Sequence, residues 1–345
     1  MDTERYSLRP FADSDYDAAA RISRESEPDF SQTAEESRHW NDVLATEPGR
    51  ISHRLVMEER SSGDVVALGT LEHAVFGYHP QKFWLVVTVS PAHRRRGIAT
   101  EMYSILEREA LSRHATCLWS GAREDHPGGV HFLERHGFVI RRKSWESRLD
   151  LARADLPRIP DRSARLQDQG IRFTTFSEEG AGDPDVRQRL YRLQSLASAD
   201  VPRMGEYRPI SFEQFVAVDL EDSEAVLDGL FLAAHGDDYV GMSSLFRDGG
   251  RPETLRVGLT GTHPDFRGRG IASALKRRSV EYARGNGFRY LATRNDSLNH
   301  AIWAINEKLG FQRTAAWVEG EKWLTTTPLR GTANPPPIGS SGTDI

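Results

Sequence analysis

Arginines and glycines stand in one short pattern twice along this 345-residue chain, and their types suit them to hold phosphate. The first copy is Ser90-Pro91-Ala92-His93-Arg94-Arg95-Arg96-Gly97-Ile98-Ala99, the second His263-Pro264-Asp265-Phe266-Arg267-Gly268-Arg269-Gly270-Ile271-Ala272. Glycine lets a ligand come close to the backbone, and the arginine fork matches phosphate oxygens. Where a helix follows, its first amides have no internal partner and its dipole adds partial positive charge. Gly97 and Gly270 are 173 positions apart, and so are the glycines of His136-Gly137-Phe138 and Leu309-Gly310-Phe311. Two landmarks repeated without slip mark an internal duplication, and the repeated element reads as a phosphate cradle.

The elements around each copy are those a cradle needs. Residues 83–89 form a β-branched and aromatic run, hence a strand, and Pro91 ends it. Ile98, Met102, Ile105 and Leu106 then follow helical spacing. The second copy repeats this order: strand at 255–262, turn at 267–270, helix at 271–285. Further strands are expected in the first half at 6–11, 65–76, 115–119 and from Phe138, with helices up to Ile22, near 39–44 and near 130–135. The second half offers strands at 171–176, 231–234, 239–246, 288–292 and from Phe311, and helices at 186–196 and 301–309.

Composition narrows the class. A net charge of −5 argues against general nucleic-acid binding, and a single cysteine, Cys117, argues against a disulfide framework. Cys117 sits in a strand-like run and is expected to be buried rather than nucleophilic. No apolar stretch reaches membrane-spanning length, so a soluble, cytoplasmic protein is expected. Residues 151–170, with Pro157, Pro160 and many charges, read as a linker, and the proline- and glycine-rich residues 329–345 as a disordered tail.

At Arg94-x-x-Gly97-x-Ala99 and Arg267-x-x-Gly270-x-Ala272 the chain resembles the acetyl-CoA motif of the GCN5-related N-acetyltransferases (GNAT). Gly137-Phe138 and Gly310-Phe311 resemble that family's final helix-to-strand signature. The tandem layout is similar to that of the mycothiol synthases and other bacterial two-domain acetyltransferases. The resemblance implies an α/β (α+β) fold of two tandem domains, at 1–150 and 171–328, each a mixed, mostly antiparallel sheet flanked by helices. It also implies acetyl-CoA as donor and direct attack of an acceptor amine on the thioester. By resemblance, the pantetheine would lie along Val87, Thr88 and Val89, and along Thr260, Gly261 and Thr262. The pyrophosphate would lie on the turns and helix starts: Arg94, Arg95, Arg96, Gly97, Ile98, Ala99 and Thr100, and Arg267, Gly268, Arg269, Gly270, Ile271, Ala272 and Ser273.

The family's general-acid tyrosine, four residues before the glycine of Gly-Phe, is replaced by Leu133 in the first half and Asn306 in the second. Leucine cannot donate a proton, whereas an asparagine amide can donate a hydrogen bond to sulfur. Asn299, two helical turns before Asn306, would share its face or else cap the helix. These asparagines favour the second half as the catalytic one, with Asn306 the residue nearest to catalysis. Glu72, His73, Glu253 and His263 are candidates for a general base, and no spacing selects among them. The acceptor, a small-molecule or peptide amine, would be chosen by residues 29–44 and 199–215, where Arg203 and Arg208 could hold an acidic group. A monomer or homodimer with no nucleic-acid or membrane partner is expected. The alternative reading is a non-catalytic protein that binds or senses acyl-CoA.

Overall fold

In each half the strand entering the glycine turn pairs briefly with a parallel neighbour and then leaves it, and the fold is built around that parting. The computed structural model describes residues 2–27 and 32–324. The first half runs β1 (Tyr6–Pro10), α1 (Tyr16–Ser26), α2 (Ala34–Ala45), β2 (Ser52–Glu59), β3 (Val65–Glu72), β4 (Lys82–Val89), α3 (Ile98–Ser112), β5 (Cys117–Arg123), α4 (Pro127–Arg135) and β6 (Val139–Asp150). The second runs α5 (Ser163–Gln167), β7 (Ile171–Thr175), α6 (Pro184–Ala199), α7 (Phe212–Phe215), β8 (Phe231–His235), β9 (Asp238–Arg247), β10 (Thr254–Thr262), α8 (Ile271–Gly285), β11 (Tyr290–Asp296), α9 (His300–Leu309) and β12 (Gln312–Trp323).

Two units form. The first takes the chain up to Ser144, Met204–Glu206 and the chain from Ala315. Its strands lie in the order β1-β2-β3-β4-β5-β12, with residues 139–144 of β6 beside β12. β1–β2, β2–β3, β3–β4 and β5–β12 pair antiparallel, and β4 pairs with β5 in parallel. Alternation along the strands sends Leu55, Met57, Ala67, Leu71 and Leu85 against Met102 and Leu106 of α3. Val56 and Val65 face the other way, onto Ile22 of α1. Cys117 is fully buried beside Trp119 and Met204, and burial pushes its thiol up to about 12, as expected of a structural cysteine.

The second unit holds Trp145–Arg203 and Tyr207–Thr314. Its strands run β11-β10-β9-β8-β7, with residues 145–150 of β6 beside β11. Here α8 buries Ile271, Ala274, Leu275 and Val280 against Ala233, Val240, Leu255 and Leu291.

Two expectations need correcting. Residues 151–170 are not a solvated linker: Leu151, Ala154, Ile159 and Leu166 are buried in the second core. Arg284 Nε and Nη2 donate to the carbonyls of Leu151 and Ala154 at 2.7 and 2.8 Å, and Arg277 Nη1 donates to those of Leu156 and Ile159 at 2.9 and 2.8 Å. Charges and prolines disguised four apolar anchors spaced along this stretch. The units are also not the contiguous spans 1–150 and 171–328, because the last strand of each half is divided between them. Residues 315–324 lie in the first unit, where β12 pairs with β5 from Trp317↔Arg123 to Trp323↔Cys117. Residues 145–150 lie in the second. Strand β2 was not anticipated, since its buried Leu55, Val56 and Met57 are flanked by charged residues. The expected tail, 329–345, and residues 29–31 of the expected acceptor segment lie outside the described residues.

Candidate functional site

In the first half, β4 pairs with β5 only at residues 82–84 and 117–119. Beyond Trp84 the strands part, and a cavity of about 550 Å³ fills the wedge. Leu85, Val86, Val87, Thr88 and Val89 line one side, and Ser120, Gly121, Ala122 and Arg123 the other. β4 keeps its ladder to β3 from Leu71↔Leu85 to Ala67↔Val89, so its other edge turns unpaired backbone groups toward the wedge.

The turn closes one end of this cavity. Arg95 holds a left-handed backbone, φ 63°, and Gly97 caps α3 at φ 81°. Glu101 N–H makes the first helical bond, to Gly97 O at 3.1 Å, so the amides of Ile98, Ala99 and Thr100 precede the ladder. Arg94, Arg95, Gly97, Ile98, Ala99 and Thr100 all line the cavity. Arg96 turns away: its guanidinium donates to Tyr6 Oη at 3.1 Å and Ala92 O at 3.2 Å. Tyr103, one turn into α3, also faces in and was missed from sequence. It donates to Glu107 Oε1 at 2.7 Å and accepts from Lys322 Nζ at 3.0 Å. Burial and the Glu107 charge hold its phenol far above the usual range, so it is a hydrogen-bonding wall rather than an acid. Leu133 lines the cavity where a general-acid tyrosine was sought, and His93 and His126 line it as well.

The second half repeats the turn with Gly268 at φ 74°, in the place of Arg95, and Gly270 at φ 97°. Ala274 N–H bonds Gly270 O at 3.1 Å, which leaves Ile271, Ala272 and Ser273 as the free first amides. Their surroundings differ from the first half. Arg162 lies over Gly270, where an added Cβ would meet its guanidinium at 2.7 Å. A Cβ on Gly261 would stand 2.4 Å from Ala197 Cβ, so α6 packs directly on the β10 backbone. Thr260 Oγ1 is 2.9 Å from Ser243 Oγ, and Thr262 O accepts from Arg267 Nε at 3.3 Å. Arg267 also pairs with Asp200, while Arg269 donates to Asp265 O at 3.3 Å and lies over the Phe266 ring.

The two asparagines do not act together. Asn299 Oδ1 accepts from Ile302 N–H at 3.4 Å and caps α9. Asn306 is fully buried, donates to Asn295 Oδ1 at 2.7 Å, and leaves its own Oδ1 without a partner. Lys276, at the position matching Tyr103, is buried too, its ammonium 5.4 Å from the Phe311 ring centre, and desolvation lowers it to about 7. The 173-residue offset could have found it. Met204 packs in the first unit rather than in a second-half acceptor loop, and Arg203 lies over the Tyr207 ring.

A second cavity of the first half, about 350 Å³, lies on the α1–α2 face. Ladder rows fix its relation to the wedge: Val56↔Leu68↔Thr88 and Arg54↔Thr70↔Val86 run straight across β2, β3 and β4. Leu68, Thr70 and Arg54 line the second cavity, while Thr88 and Val86 line the first, so the two meet across one strand spacing, about 5 Å. Glu72 belongs to this second cavity, and desolvation holds its carboxyl above the usual range against the pull of Arg50 and Arg54. The other base candidates are occupied. His73 accepts from Ile51 N–H at 3.1 Å and stacks on Phe83, Glu253 is ion-paired with Arg289 at 3.8 Å, and His263 accepts from Asp265 N–H at 3.3 Å. Among the described residues no cluster of three His, Cys, Asp or Glu could hold a metal, and no helix is long and apolar enough to cross a membrane.

A model of the acetyltransferase (GNAT) family matches residues 16–138 and 190–311. A mycothiol acetyltransferase of Geodermatophilus obscurus is 28% identical over 235 residues, 66% of this chain and 70% of that one. One of Nocardia farcinica is 28% identical over 272 residues, 77% and 80% of the two chains. Among solved structures, a tandem GNAT protein from the clavulanic acid biosynthesis pathway has a TM-score of 0.68 at 20% identity, covering 94% of this chain and 100% of that one. A GCN5-related N-acetyltransferase from Sphaerobacter thermophilus scores 0.65 at 18% identity, covering 93% and 96%. The two structural likenesses concern the fold.

Proposed function

We propose that this chain, which belongs to the acetyltransferase (GNAT) family, carries out acetyl transfer in its first half, by direct attack of an amine in a ternary complex. Acetyl-CoA is the family's donor, and its thioester supplies an electrophilic carbonyl and a thiolate leaving group. The observation that carries the choice of half is the wedge cavity, which joins the free edge of β4 to the amides of Ile98, Ala99 and Thr100. Those amides and the Arg94 and Arg95 side chains suit a pyrophosphate. In the second half the same turn lies under Arg162 and the same strand under Ala197.

The acceptor nitrogen forms its bond to the acetyl carbon as the carbon–sulfur bond breaks, with that electron pair leaving on sulfur. One proton must leave the nitrogen, and Glu72 is the carboxylate placed to take it, its affinity raised by burial. The departing sulfur needs no dedicated acid, since a thiol titrates near 8.5 and solvent can protonate it. The relatives named mycothiol acetyltransferase suggest a mycothiol-related amine as one acceptor to assay.

Calorimetric titration with acetyl-CoA tests the assignment. One site per chain is expected, weakened roughly 100-fold or more by Gly97→Glu, which puts a carboxylate where phosphate should lie, and kept in Gly270→Glu. The reverse pattern would restore the second half as the working one. Binding without turnover of any amine would leave the acyl-CoA-sensing alternative, which Leu133 permits.

A further inference from the structure

One buried cation in the second cavity is incompletely partnered. Arg50 has a side chain only 4% exposed, and its Nη1 makes no hydrogen bond. Its other terminal nitrogen is 3.8 Å from Glu72 Oε2, too long for a hydrogen bond. A buried guanidinium N–H left unpaired is costly, so this N–H is available to an anionic ligand. Arg54 is already engaged: its Nη1 donates to Tyr16 Oη at 3.0 Å and its guanidinium lies 3.6 Å from the Phe11 ring centre. The charged groups lining the cavity are therefore two arginines and one carboxylate, an excess of positive charge.

We infer that this cavity is the acceptor subsite and that it selects amines bearing an anionic group, seated on Arg50, with the nitrogen directed past Thr70 toward the wedge. The inference rests on the first half being the working one. The residues on this sheet face set the length of the ligand. Glu72 is the diagonal neighbour of Val86 on the wedge, roughly 7–8 Å away, and the Arg50 guanidinium approaches Glu72 to 3.8 Å. An acceptor whose nitrogen reaches Glu72 from the wedge side and whose anion sits on Arg50 has the two about 7 Å apart, the length of a dipeptide or an ω-amino acid. Trp40 and Tyr16 supply flat apolar walls along the way, and Asn41 a polar one. A carboxylate and a phosphate would both satisfy Arg50.

Glycylglycine and 6-aminohexanoate, compared with their C-terminal amides, distinguish this from a neutral acceptor pocket. The expected result is acetylation of the acids with kcat/KM at least about tenfold above that of the amides. Arg50→Gln should raise KM for the acids roughly 10–100-fold and KM for the amides little, while any change in kcat passed through Glu72, whose ionised form Arg50 favours, should be shared by acids and amides alike. Arg50→Lys should recover part of the loss by keeping the charge, which a folding defect would not allow. Amides used as well as acids, equal effects of Arg50→Gln on KM for both, or no acetylation of any of the four while acetyl-CoA still binds would overturn the inference. Loss of the parent reading shows separately, as acetyl-CoA binding that ignores Gly97→Glu.

Discussion

At the scale of single residues, burial gives three ionisable groups properties that their sequence positions do not advertise. Glu72 is held above the carboxylate range, Asp219 is raised to about 7 by burial and then by Asp222, and Lys276 is lowered to about 7 by burial alone. The signs differ. A carboxyl raised in the fold binds its proton more tightly when folded, so stability falls as pH rises from the unfolded value, 3.8 for Asp219, to about 7. A lowered lysine sheds its proton more readily when folded, so stability rises with pH between about 7 and 10.5. Asp219→Asn should therefore raise the melting temperature at pH 7.5 and not at pH 3.5. Lys276→Met should stabilise by about 1–3 kcal/mol at pH 7, the effect shrinking toward pH 10 in denaturant titrations. For Glu72 the readout is kinetic. Glu72→Gln should lower kcat by roughly 100-fold and abolish the acidic limb of the pH–rate profile, along which wild-type activity grows as the carboxyl ionises. An unchanged limb would assign the base elsewhere.

At the scale of elements, the two copies of strand, turn and helix differ in what lies against them. Gly261 shows the difference. It sits where Thr88 sits in the first copy, and it is glycine because α6 leaves no room for a side chain. Gly261→Val should destabilise by about 1–3 kcal/mol in urea titration, since neither the β10 backbone nor Ala197 can move away cheaply. Thr88→Val, facing an open cavity, should cost much less on the same measurement. The strand before each turn, the helix after it and the left-handed glycines were legible in the sequence, because each is written in adjacent residues. β2 was not, because its charged flanks, including the Arg54 that lies over Phe11, hide a buried centre of three residues.

At the scale of the whole molecule, the division into units cuts across the repeat. Since β5 is paired along its length with residues 317–323, a fragment of residues 1–150 leaves that edge bare and lacks Trp317, which lines the wedge cavity. Such a fragment should not show a cooperative thermal transition by circular dichroism or bind acetyl-CoA, whereas residues 1–324 should do both. A fragment 1–150 that folds and binds would mean that the β12 pairing is dispensable.

The sequence by itself determined the duplication, the cradle turn, the helix that follows it and the α/β class. Those depend on backbone conformations and side-chain periods that neighbouring residues set. Tertiary structure alone decided what packs against each turn and strand, where residues 145–150 and 315–324 lodge, and which buried guanidinium N–H lacks a hydrogen bond. Each of those depends on what packs against the element from far along the chain: Arg162 on Gly270, Ala197 on Gly261, Glu72 beside Arg50. Desolvation and steric fit are set by those neighbours, and no local pattern encodes them.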